Sequence, residues 1–204
     1  MKNALSIWVL FVATGAFGGE RMSVSVCNMN GLPEPAIRHA EDEAAYVFRA
    51  MGVEINWIGC GAEVGAEDAR IRPDFIVRVR TGGRIAKAGP VSLEAMGRAF
   101  MDSTGYGFMV DTYYGAIRDL TLLFPFAGSD QVLGYTIAHE LGHLLIGAGH
   151  RANGIMRAAW SKAELEALNR RHLRFNDWER AVIIHKLQMR DAATAAAHPA
   201  EFGG

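Results

Sequence analysis

Apolar residues recur along this chain with two periods, and the switches between them outline the elements. In "RMSVSVC", Met22, Val24 and Val26 alternate with small polar residues, which predicts a strand. From Glu34 to Met51, the residues Ile37, Ala40, Ala44, Val47, Phe48 and Met51 return at helical spacing opposite Arg38, Glu41, Asp42 and Arg49. Gly52 follows where a helix C-cap is expected. "VEINWIGC" and "DFIVRVR" alternate again and predict two more strands, with "NMNGLPEPA" and "GAEVGAEDARIRP" as loops. A strand, helix, strand order implies a right-handed crossover and a parallel pair, so the sheet is at least partly parallel.

The second half begins with a glycine-rich stretch, "TGGRIAKAGPVSLEA", read as a long loop, and continues with two short strands, "GRAFMD" and "YGFMVD". A helix is expected over Thr112 to Leu123, broken by "FPFAG". Ser129 is the expected N-cap of a further helix with Asp130 in its first turn. "SKAE" at Ser161 and "NDWE" at Asn176 have the spacing of capping boxes, each opening a helix. Ala181, Val182, Ile183, Ile184 and Leu187 supply the apolar face of the last one. The segment 191–204 lacks such a face and is expected to be a mobile tail.

Composition adds limits. The 204 residues, half of them apolar, suffice for one buried core, and a formal charge of -1 argues against a nucleic-acid or anionic-membrane binder. At the start, Lys2 precedes an apolar run from Ala4 to Phe17 that ends in small residues, the pattern of a signal peptide over residues 1–18. The expectation is a secreted or periplasmic protein, with residues 19–190 as a single domain, no membrane span after cleavage, and a monomer. In an oxidising compartment Cys27 and Cys60 are expected to pair, a closure that contributes roughly 3 to 4 kcal/mol on the chain-entropy estimate.

The chemistry is concentrated in "AHELGHLLIGAGHRANGIM", Ala138 to Met156. His139 and His143 are four apart, so on a helix they leave one face a turn apart and can reach one ion. Imidazole suits zinc, and Glu140 between them projects beside the metal, where it can serve as a general base. A catalytic zinc needs a third protein ligand and an open fourth position. Gly147 and Gly149 can end the helix through positive φ and return the chain so that His150 reaches the ion.

This segment resembles the metzincin group of zinc metallopeptidases, whose extended motif is HExxHxxGxxH followed by a turn with a methionine under the metal. Here the family's glycine position falls on Ile146 and its third histidine position on Gly149, so the sequence reads HExxHxxxGxxH. Either the turn holds one extra residue and His150 ligates, or another residue, His185 or Asp177, takes its place. The freedom of Gly147, Gly149 and Gly154 favours His150.

The resemblance implies an α+β fold of the zincin type: a twisted mixed sheet of about four to five strands, a crossover helix, an active-site helix and a smaller helical C-terminal part. It implies zinc as cofactor, peptide or protein substrates bound along an edge strand for which "GRAFMD" is the candidate, and Met156 as the Met-turn residue. The family often stabilises the oxyanion with a tyrosine near that turn; "GIMRAAW" has none, and Tyr113 and Tyr114 are the unplaced candidates. The function implied is an exported zinc endopeptidase. Two alternatives stay open: a zinc protein that binds peptide without turnover, and a zinc hydrolase of a non-peptide amide.

Overall fold

The computed structural model describes residues 19–60, 73–82, 91–92 and 96–197; the expected signal peptide, most of the loop 61–73 and the end of the tail lie outside them. The fold is α+β. Strands β1 (Glu20–Asn28), β2 (Val53–Gly59), β3 (Phe75–Arg80), β5 (Gly97–Met101) and β6 (Gly107–Tyr113) form one sheet in the order β2-β1-β3-β6-β5. Helix α1 (Glu34–Arg49) makes the expected crossover between parallel β1 and β2, and β3 and β6 extend the parallel set. Only β5, at the edge, is antiparallel. A two-residue strand, β4 (Val91–Ser92), pairs with β7 (Ala159–Trp160), so the glycine-rich stretch is not loop throughout.

Alternation works where a strand is central and fades where it is not. Met22, Val24, Phe75, Val77 and Val79 are all buried, whereas in edge strand β2 only Val53 is, and Ile55 and Trp57 are half-exposed. Their face of the sheet packs on α1 and α3 (Ser129–Ile146). Helix α2 (Tyr114–Leu123) starts two residues later than expected, because Thr112 and Tyr113 remain paired with Val79 and Arg80 in the sheet. Ser129 is the first residue of α3 and not its cap; Gly128 holds the cap position, and the Ser129 hydroxyl instead lies 3.0 Å from the Tyr114 hydroxyl.

Helix α3 is buried on every side from Val132 to Leu145. It passes so close to α1 that a Cβ on Gly134 would stand 2.4 Å from the Ala40 carbonyl oxygen and 2.7 Å from the Glu43 Cβ. Gly134→Ala should gain up to about 1 kcal/mol of helix propensity and lose about 1–3 kcal/mol to overpacking. Since the obstructing atom is backbone, the loss prevails, and urea unfolding should show a net destabilisation of about 1–2 kcal/mol.

The C-terminal part is helical as expected: α4 (Lys162–Asn169) and α5 (Asp177–Ala197), the latter running through the first residues of the expected tail. Ser161 and Glu164 form a capping box, and Asn176 and Glu179 exchange the same reciprocal pair of bonds. Ile183 and Leu187 face the core, Val182 and Ile184 are half-buried, and Ala181 is exposed. Cys27 and Cys60 are disulfide-bonded, joining the end of β1 to the residue after β2. No helix among the described residues is long and apolar enough to cross a membrane.

Candidate metal centre

Helix α3 ends at Ile146, and the turn that follows is built on two glycines. Gly147 has φ 103°, its N–H donating to the His143 carbonyl at 2.9 Å, and Gly149 has φ 114°. Side chains with a Cβ rarely adopt either conformation. The chain therefore doubles back, and the extra residue between His143 and His150 is absorbed in the turn. His150 lies with its ring centroid 5.5 Å from that of His139, nearly parallel, and 4.9 Å from that of His143, edge-on. One ligating nitrogen from each of the three falls within 4.8 Å of the others, the one such group among the described residues. His185 and Asp177 are exposed on α5 and lie outside it.

The protonation of this cluster follows from its neighbours. His139 Nδ1 is 2.7 Å from the Ile155 carbonyl oxygen, and His143 Nδ1 is 3.3 Å from that of Gly147. A carbonyl oxygen only accepts, so each Nδ1 carries the proton and each Nε2 is a lone pair. Burial, together with the repulsion of His143, pushes the His139 imidazole down to about 3, and burial also lowers His143. Both are neutral at physiological pH. Yet the two Nε2 atoms are 3.0 Å apart. Facing lone pairs at that distance repel, and a shared cation removes the conflict. Two nitrogens tetrahedrally disposed at about 2.0–2.1 Å from zinc stand about 3.3 Å apart, so the donor set fits that ion.

The depressed His139 pKa makes acid sensitivity predictable. It lies below the 6.5 of an ordinary imidazole, so between about 3 and 6.5 the unfolded chain binds more protons than the folded one. Stability of the metal-free protein then falls as pH drops through that window, by up to about 1.4 kcal/mol per pH unit from this group. Urea unfolding at neutral and mildly acid pH should show the slope, and His139→Gln should flatten it.

A cleft of about 520 Å³ opens over the histidines, lined among others by Gly97, Arg98 and Ala99 of β5, Tyr113, Glu140 and Gly149. Glu140 is 3% exposed and packs against β5 where that strand has no side chain: a Cβ on Gly97 would lie 2.5 Å from Glu140 Oε1 and 2.8 Å from Cδ. Gly97 thus makes room for the carboxylate, a requirement no local pattern reveals. Tyr114 is occupied by Ser129, whereas Tyr113 faces the cleft. On the other side of the histidines, Met156 is buried, and a Cβ on Gly142 would stand 2.6 Å from its Sδ, which places the methionine against α3 between the two histidine turns. The turn is held by Arg151 N–H donating to the Met156 carbonyl at 2.8 Å. Trp160, fully buried, sets its ring edge-on to His139 at 6.2 Å.

Comparison with family profiles and with curated proteins returns no match. Solved structures do match. Archaemetzincin from Methanopyrus kandleri superposes with a TM-score of 0.51 over 82% of this chain and 96% of its own, at 14% identity. Metalloproteinase-II from Bacteroides fragilis gives a TM-score of 0.50 over 86% of this chain and 55% of its own, also at 14% identity. At such identities the likeness is one of fold, and the fold of this chain is that of the metzincin-like zinc peptidases.

Proposed function

We propose that the chain is an exported zinc-dependent endopeptidase. The observation that carries the reading is the pair of buried, neutral imidazoles whose Nε2 lone pairs face each other at 3.0 Å, with His150 brought beside them and Glu140 adjoining in the same cleft. His139, His143 and His150 would hold zinc, and Met156 would form the apolar floor beneath them. When bound, zinc supplies Lewis acidity, polarising a substrate carbonyl and acidifying a water molecule.

The chain's own residues do the rest. Glu140 accepts the proton of the attacking water on its carboxylate and passes it to the departing amine nitrogen. Its burial against Gly97 keeps competing water away and fixes its position. The outer edge of β5 has no strand partner among the described residues, and an extended peptide can add there as a further antiparallel strand. The Tyr113 phenol donates to the oxygen that gains charge when the carbonyl is attacked, taking the part of the tyrosine absent from the Met-turn.

Purified mature chain should cleave casein or a peptide library, and a chelator should stop it until zinc is restored; a protein that binds peptide without hydrolysing it, zinc present, overturns the reading. Tyr113→Phe should lower kcat by about tenfold to a hundredfold with little change in KM, since one oxyanion donor is lost and the peptide still docks.

A further inference from the structure

Strands β3, β6 and β5 carry a row of charges that ends at Arg98, on the rim of the histidine cleft. Register sets Arg78 opposite Asp111 and Asp111 opposite Arg98, so the three share the sheet face turned away from α3. Asp111 is 1% exposed, and its two oxygens are already engaged, Oδ1 by Arg78 Nε at 2.5 Å and Oδ2 by Arg80 Nη1 at 3.0 Å. One carboxylate therefore already serves two guanidiniums, and Arg98 is not among its partners. Arg98, exposed on edge strand β5, makes no ion pair among the described residues. It is ordered instead over the Phe100 ring, 5.4 Å from the centroid, with Arg78 at 5.7 Å from the same ring. Among the described residues, three guanidiniums thus share this stretch of sheet with one carboxylate, in a chain whose net charge is -1.

We infer that Arg98 is a specificity-determining residue which selects peptides carrying an acidic side chain directly opposite it on the added strand. The inference rests on the reading of β5 as the peptide-binding edge. A strand paired with β5 must alternate as β5 does. Gly97 turns toward Glu140, so the residues facing Arg98 and Phe100 project from the opposite face, beside Arg98. A carboxylate placed there extends the row Arg78, Asp111, Arg98 by one alternating charge, the cross-strand arrangement that sheets favour. A lysine or arginine in that position adds a third cation to the row, next to Arg98.

The test separates binding from turnover. Zinc-loaded Glu140→Gln protein is titrated with labelled peptides of otherwise fixed sequence in which Glu, Gln or Lys is moved one position at a time, and binding is read by fluorescence anisotropy. At one position Glu should bind roughly fivefold tighter than Gln, with Lys weakest, and added salt should shrink the difference. Arg98→Gln should erase the order and Arg98→Glu should invert it. No position with a preference for Glu, or a preference that survives Arg98→Glu, overturns the inference. The same peptides offered to the wild type test the peptidase reading separately: selective binding without cleavage sinks that reading alone, and cleavage without acidic preference sinks only the role of Arg98.

Discussion

Glu140→Gln should leave zinc bound and reduce peptide hydrolysis by about 10²–10⁴-fold in kcat, the range over which a positioned proton acceptor acts. The amide has nearly the carboxylate's shape, so it fills the gap over Gly97 without moving β5, yet it has no basic oxygen for the water proton. KM should change little, because Glu140 is walled in by the strand and does not form the peptide-binding edge. Metal analysis and steady-state kinetics on the same preparation decide it: unchanged turnover removes Glu140 as the base.

His150→Ala should strip the metal. Loss of a hydrogen-bonded neighbour of a metal ligand already weakens zinc roughly 10–100-fold, and loss of a ligand itself exceeds that. The remaining His139 and His143 would keep their facing lone pairs but have no third donor within reach among the described residues. Wild type dialysed against metal-free buffer should retain stoichiometric zinc and His150→Ala should not, whereas His185→Ala and Asp177→Ala should behave as wild type. Zinc retained by His150→Ala would return the third position to one of those residues.

The parts of this site that could be read from the chain are those set by local spacing. Two histidines four apart on a helix share a face whatever the fold, and the capping boxes at Ser161 and Asn176 depend on three-residue intervals alone. The destination of His150 was harder, since it depends on how Gly147 and Gly149 bend, but glycine is the residue that permits such a bend and so marked the place. Long-range juxtapositions left no local trace. Gly97 lies 43 positions before Glu140 and meets it only because β5 is the antiparallel edge strand above α3. Tyr113 and Tyr114 differ by one position, and the end of β6 falls between them, sending one to the cleft and the other to Ser129. Helix α3 offered no guide to orientation either, because a helix buried all round has no polar face to read.

The edge-on stacking of Trp160 against His139 has a practical consequence. A fully buried indole is a fluorophore shielded from water, and its neighbour is an imidazole whose electronic state changes on coordination. Because the Trp160 backbone is also laddered to Val91 of β4, its ring is held at a fixed attitude to that imidazole. Zinc bound by the three histidines should therefore change the emission of Trp160 above the background of Trp57 and Trp178, and Trp160→Phe should remove that change.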